Sequence, residues 1–380
     1  MISEKIYVAI DIGEWSSKLV IGTVNSDKFN ICAIFSTETQ GISSGDVSSK
    51  NEIQRTVISL LEKAKEMDFD IKKLIIVLPS NNMNVYRKKA SNSVTSVNKV
   101  VSSRDIELLK NACASHQIMP GEMVIGIYPI QYSLDGENVG EEPPIGYRGN
   151  VIELDSFVVS SPQSLAKGIV DAIQELEIEI LDVIPLPIAL FKALVKEQEG
   201  KSGILIADLG AAHNSVSFFY KNLFCGHRQG KTGGNFITSE LANFLDNDKK
   251  QAEIVKVKYG SANLTSATNI EVYKNKTSGK MIKEKEIVEI VDKSLDIIID
   301  EVAKSILYLT KNNHLPIILT GGVANTENIQ EKFRLVLSDD FILRKFDIVG
   351  GNDASYYACF GAIISYIEKF SKIERELSNV

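Results

Sequence analysis

The chain has 380 residues, 44% of them hydrophobic and 24% charged, and a formal net charge of −7. That is length for two lobes with separate cores, and the acidic balance argues against nucleic acid as a partner, which would need a basic face. Four scattered cysteines (Cys32, Cys113, Cys225, Cys359) and four histidines without ligand spacing exclude a disulfide framework and a zinc site, and read as reduced thiols of a cytoplasmic protein.

The opening MISEKIYVAIDIG lacks the basic and cleavable apolar segments of a signal peptide, and no apolar run reaches the roughly 20 residues of a membrane span. Residues 7–24, YVAIDIGEWSSKLVIGTV, predict a buried strand ending at Asp11 and Gly13, a polar turn through Glu14, Trp15, Ser16 and Ser17, then Lys18 and a second, β-branched strand. A glycine turn between two strands differs from nucleotide loops that open a helix. Here phosphate would be held by backbone N–H groups of a hairpin tip plus Lys18. Asp11 would hold water on a magnesium ion that keeps most of its hydration shell.

A third strand follows at 29–36, a turn at 41–45, a helix at 51–67 and a strand at 71–78. From Asn84 the texture turns polar, followed by a helix at 103–116, strands at 123–130 and 132–134 closed by the turn Asp135-Gly136, a corner at 141–149 and a strand at 151–159. Residues 84–161 are expected to form an inserted subdomain. A helix at 161–176, a strand at 179–183 and a helix at 188–198, stopped by Gly200, return to the first lobe. Then the opening repeats: 203–220, GILIADLGAAHNSVSFFY, has a strand, Asp208, Gly210, a short turn and a second strand. Two such hairpins facing across a cleft would clamp a polyphosphate from both sides.

Residues 230–241 predict a glycine turn opening a helix, 249–260 a helix, 263–279 a small exposed sheet and 284–309 a long helix with a core-facing stripe. A strand at 316–319 ends in Thr320-Gly321-Gly322-Val323-Ala324, with helices from about 326 and from 353. The expected division is a first-lobe core (1–83, 162–199, 353–380), the insert (84–161), a second-lobe core (200–234, 284–352) and a small subdomain (235–283).

The two Asp-x-Gly hairpins and the strand–TGG–helix resemble the actin-like ATPase superfamily. Within it SSRDIE, GIYPIQYSLDG, PPIGYRGNVIEL and QAEIVKVKYG resemble motifs of the bacterial cell-division FtsA family, over about residues 5–367. The resemblance implies a two-lobed α/β actin-like (ribonuclease H-like) ATPase fold with an FtsA-type insert in the first lobe. It implies ATP and Mg2+ held by Asp11, Gly13, Trp15, Ser16, Ser17 and Lys18 of the phosphate-1 turn, and by Asp208, Gly210, Ala211, Ala212, His213 and Asn214 of the phosphate-2 turn. Gly233, Gly234, Glu253 and Lys256 would serve ribose and adenine, and Gly321, Gly322, Val323 and Ala324 would form the adenosine loop. Asp11 and Asp208 would reach the metal through water. The implied partners are the FtsZ C-terminal tail at the small subdomain, other copies of the chain in protofilaments, and other division proteins at the insert. The place is the cytoplasm, at the inner face of the membrane at the division site.

Three departures from the family pattern carry expectations of their own. Glu14 stands where a hydroxyl is usual; it is expected to turn away and leave Ser16 and Ser17 to supply hydroxyls. Ala211, Ala212, His213 and Asn214 replace glycines and hydroxyls of the phosphate-2 turn. An alanine held at positive φ costs about 1 kcal/mol or more, and one lost preorganised donor typically costs ~10²–10³ in rate. ATP binding with very slow or no hydrolysis is expected. Lastly, the segment 368–380 reads as a continuation of the closing helix rather than an amphipathic anchor, which would carry a cationic polar face; membrane contact would be peripheral or indirect. Trp15 is either packed on its lobe or a lid over the nucleotide. A PilM-like adaptor of type IV pilus assembly is the alternative on the same fold, and a sugar or small-acid kinase lacks an identifiable base.

Overall fold

The computed structural model describes residues 6–25, 28–115, 118–275, 279–311, 314–337, 341–343 and 354–378. Its frame is two five-stranded sheets of one design. In the first, Ile6–Ile12 pairs antiparallel with Ser16–Asn25, which pairs antiparallel with Lys28–Glu38; on its other side Ile6–Ile12 runs parallel to Lys73–Leu78, and that strand to Glu179–Pro185. In the second, Ile204–Leu209 stands between Asn214–Tyr220, backed by Leu223–Gln229, and the parallel strands Ile317–Thr320 and Phe341–Leu343. The duplicated hairpins are thus the visible part of a duplicated topology. The central parallel strands are buried along nearly their whole length, which explains their continuous rather than alternating hydrophobicity.

The helices Leu186–Leu194 and Tyr357–Ser378 join the two sheets. One apolar cluster holds Ala9, Val20 and Val77 of the first sheet, Ile204, Ile206 and Phe219 of the second, and Leu190, Phe191, Phe360 and Ile363 of these helices. Gly361 lies against the Ala189 carbonyl, where any side chain would collide with backbone, so glycine sets how closely the helices cross.

Between the fourth strand of the first sheet, Lys73–Leu78, and its fifth, Glu179–Pro185, a separate sheet is inserted, in the order Asn84–Ser93, Val151–Pro162, Glu122–Leu134, Glu137–Gly140. The helix Ser103–Ser115 covers it over a core of Val94, Ile106, Leu109, Tyr132 and Leu154. The polar stretch after Asn84 is therefore the edge strand of that sheet, laddered to Val151–Pro162. The two strands expected at 123–134 are one, bulged at Ile130: Ser156 opposes Pro129 and Asp155 opposes Gln131. Proline has no N–H for the ladder, and the bulge accommodates it.

The helix expected at 188–198 is two, Leu186–Leu194 and Glu197–Ser202, separated by an extended Val195. Gly200 is not a helix stop. It lies inside the second helix, where Asn222 and Phe191 leave no room for a side chain, and Gly203 at φ 110 ends it. The strand Leu223–Gln229 was not expected. The helix Glu284–Thr310 buries Ile287, Val291, Leu295, Ile298, Val302 and Ile306 as a single stripe. The closing helix starts at Tyr357 and runs to Ser378, with Glu368 and Lys369 paired to Lys192 and Asp182. The expected start at Asp353 lies outside the described residues. Among those residues, no helix is long and apolar enough to cross a membrane.

Candidate functional site

A cleft of about 530 Å³ opens at the carboxyl ends of the parallel strands of both sheets, bounded by Asp11, Pro79, Asp208 and Thr320, the usual place for a ligand in such sheets. On one wall, Asp11 stands opposite Lys18 in the ladder, with Nζ 3.5 Å from the carboxylate. Burial is the largest influence on Lys18 and opposes its charge, but Asp11, aided by Cys359 and Asp208, overrides it and raises the ammonium above its ordinary range. Ser16 and Trp15 lie on the same wall, the indole 40% exposed.

Glu14 also borders the cleft, but its carboxylate accepts from the backbone N–H of Ser44 (3.3 Å) and Gly45 (3.0 Å). Its charge is engaged away from the turn, in a hairpin tip whose successive positive φ values at Ser44 and Gly45 aim both N–H groups at an anion. Ser17 does not supply a hydroxyl to the cleft. It is buried, its Oγ 2.7 Å from Thr39 Oγ1, because side chains alternate along a strand and Ser16 and Lys18 take the other face.

The facing wall repeats this geometry. Asp208 stands opposite Ser215, where the first hairpin has Lys18. Burial first, and the nearby Asp11 second, push Asp208 up to about 6, against the pull of Lys18. The two acidic tips therefore share one hollow and repel across it. His213 is held down to about 4 by burial, so at neutral pH it is an uncharged imidazole that can donate from one nitrogen only. Neither Ala211 nor Ala212 has positive φ; the strain expected of alanine in this turn is absent, because the turn is built without left-handed residues.

The helix Gly234–Leu245 starts against that turn. The N–H groups of Gly234 and Asn235 donate to the Gly210 and Ala211 carbonyls at 2.9 and 2.8 Å. Gly233 sits behind the turn, where a Cβ would meet the Ala211 and Gly210 carbonyls at 2.6 and 2.7 Å. Glu253 and Lys256 line the cleft as an ion pair of 2.6 Å, both hydrogen-bonded to Thr238 Oγ1. Gly321 has φ 88, and a Cβ there would meet Asp208 Oδ1 at 2.5 Å; Gly322 and Val323 complete this edge.

Of the twenty residues singled out in the sequence, sixteen border the cleft and four lie behind it: Ser17, Asn214, Gly233 and Ala324. Asn214 is fully buried and donates to the Thr232 carbonyl and Glu301. Sequence reasoning missed Asn81, Lys258, Glu327 and Thr320, whose buried Oγ1 has no partner; only their places at strand and helix ends could have marked them. Among the described residues, no group of three or more metal-ligating side chains occurs. Two carboxylates on opposite tips suit instead a hydrated Mg2+ that arrives with a polyphosphate, since Mg2+ keeps several waters and uses one or two carboxylates.

A family model described as the SHS2 domain inserted in FtsA matches residues 82–160, the segment that carries the separate sheet. The chain is similar to Cell division protein FtsA of Bacillus subtilis (strain 168), 22% identical over 96% of this chain and 84% of the relative. It is similar also to that of Enterococcus faecalis, 25% identical over 85% and 74%. Among solved structures, a PilM–PilN type IV pilus biogenesis complex matches with TM-score 0.68 at 14% identity, over 95% of this chain and 98% of that one. MreB5 of Spiroplasma citri bound to ADP matches with TM-score 0.54 at 13% identity, over 98% of each. The fold is actin-like, and the resemblance to FtsA read from the motifs is borne out.

Proposed function

We propose that this FtsA-like chain, carrying FtsA's inserted domain within an actin-like fold, works as a nucleotide-gated adaptor of bacterial cell division. It binds Mg-ATP in the cleft, assembles into actin-like protofilaments and links FtsZ filaments to the inner face of the cell membrane at the division site. The observation that carries the nucleotide part is that Asp11 and Asp208, on equivalent hairpins of two duplicated sheets, line the same hollow. Lys18, Ser16 and the backbone of both turns hold the phosphates, and the two aspartates hold the waters of Mg2+. Gly234, Glu253, Lys256 and the Gly321–Val323 edge take ribose and base. With ligand bridging both walls, the joined lobes present the assembly surfaces.

The FtsZ tail binds at the small subdomain of residues 235–283, and other division proteins bind at the insert. Membrane contact is peripheral or made through a partner. Titration of the chain with an FtsZ C-terminal peptide, with and without Mg-ATP, tests this: saturable binding that nucleotide strengthens or weakens is expected. No binding in either state overturns the adaptor role. The fold match to a PilM–PilN complex favours one second reading, capture of a short cytoplasmic tail of a pilus membrane protein, and the same titration with such a peptide separates the two.

A further inference from the structure

The turn at Asp208–His213 is held from behind by the loop 230–233 and the start of the helix Gly234–Leu245, and that loop has an anchor on another element. One carboxylate oxygen of Glu301, on the long helix Glu284–Thr310, accepts four hydrogen bonds. They come from the N–H of Lys231 (2.9 Å), the N–H and Oγ1 of Thr232 (3.0 and 2.8 Å) and Nδ2 of Asn214 (2.8 Å). Burial is the largest influence on this carboxyl and works against its charge, yet the four donors hold its pKa below the ordinary range. Asn214 is the residue directly after His213, and its amide also donates to the Thr232 carbonyl at 2.9 Å. Nothing larger than Gly230 fits beside this group, since a Cβ would meet Asn214 Nδ2 and Glu301 Oε2 at 2.5 Å.

From these contacts we infer that Glu301 is a positioning residue for the nucleotide site. It fixes the loop 230–232, and with it the distance between the phosphate-2 turn and the helix that opens at Gly234. Glu301 does not border the cleft; it acts through Thr232 and Asn214. A charged acceptor is required because four donors converge on one oxygen, and bonds to a charged acceptor are worth more than neutral ones. In Glu301→Gln the neutral amide cannot satisfy them all, and the loop moves off the turn.

The inference rests on the cleft being a nucleotide site, so the experiment first measures Mg-ADP and Mg-ATP affinity of the full wild-type chain by calorimetry. Glu301→Gln is expected to weaken both nucleotides by about tenfold, close to the lower end of what a single charged hydrogen bond is worth. Thr232→Val, which removes a single donor, is expected to give a smaller loss in the same direction, and stands in should Glu301→Gln not fold. Glu286→Ala lowers stability of the same helix at its first turn, where it removes the carboxylate that caps the Lys283 N–H, and is expected to leave affinity unchanged. Wild-type affinity in both Glu301→Gln and Thr232→Val overturns the positioning role alone. So does an affinity loss in Glu286→Ala that matches its fall in Tm, because helix stability would then account for everything. A wild-type chain that binds neither nucleotide sinks the reading of the cleft, and the positioning role with it.

Discussion

Gly13 and Gly210 occupy equivalent places: each follows its aspartate by two residues, and each lies under the carbonyl three residues on. A Cβ on Gly13 would come 3.1 Å from the Ser16 oxygen, and one on Gly210 would come 2.9 Å from the His213 oxygen. Neither has positive φ, so what demands glycine is the tightness of the two turns rather than a left-handed backbone. The first contact can be relieved by a small shift; the second cannot occur without moving backbone. Gly210→Ala is therefore expected to cost more than Gly13→Ala, on the order of 1–3 kcal/mol for the overpacked turn. Both are expected to weaken Mg-nucleotide binding. Thermal melts and calorimetric titration of the two variants check the ranking, and equal, wild-type-like behaviour would contradict it.

Stability without ligand should depend on Asp208. Its pKa, near 3.8 when exposed, is raised to about 6 by burial and by Asp11. The folded protein thus binds this proton more tightly than the unfolded chain. Its contribution is fully present below pH 3.8 and is lost as pH rises through 6, by on the order of 3 kcal/mol before the site relaxes. His213 and His227, held down to about 4 from 6.5, act the other way: their contribution is present above 6.5 and lost as pH falls through 4. Asp208→Asn removes only the first dependence. Its Tm is expected to exceed wild type at pH 7 and to converge on it near pH 4, while Mg-nucleotide binding falls. A constant Tm difference across that range would refute the assignment.

Much of this was readable because the chemistry is local. An aspartate, a glycine two residues on and a return strand lie within one hairpin, so both tips could be found without knowing what they face. The insert was marked by its motifs, but its first strand, Asn84–Ser93, was hidden. Its partner Val151–Pro162 lies some way along the chain, and an edge strand need not alternate apolar and polar residues cleanly. Ser17 and Asn214 were assigned to the cleft by sequence adjacency, yet strand alternation turned one toward Thr39 and burial tied the other to Glu301. Glu301 itself gave no sign, because on a long helix one more carboxylate beside an apolar stripe looks like a solvated face.

Hydrolysis is expected to be very slow or absent while binding is retained. The turn 210–214 offers Ala211, Ala212 and a neutral His213 where hydroxyls and glycines would bring donors to a developing charge, and Asn214 is turned away to Thr232 and Glu301. One missing preorganised donor typically costs ~10²–10³ in rate. Backbone strain plays no part in this slowness, since neither alanine has positive φ; the loss is one of donors. A coupled phosphate-release assay under saturating Mg-ATP should read near its baseline. Turnover of several per second would show that other groups supply the missing stabilisation.

Trp15 is the only tryptophan of the chain, and it stands on the cleft wall, 40% exposed, with its own carbonyl tied to the Thr39 N–H at 3.1 Å. The backbone is thus fixed while the ring borders the space between the lobes. A ring packed only on its own lobe would keep one environment whatever the cleft contains. A ring at the mouth loses water when the cleft fills, which shifts its emission to shorter wavelength. Addition of Mg-ATP to the full chain is expected to produce a saturable shift with the same midpoint as calorimetry. The shift should disappear in Trp15→Phe, which keeps most of the apolar surface, while binding itself persists. An emission spectrum unchanged at saturating nucleotide would place the indole outside the ligand's reach, and the phosphate-1 turn would then close over its ligand with the backbone alone.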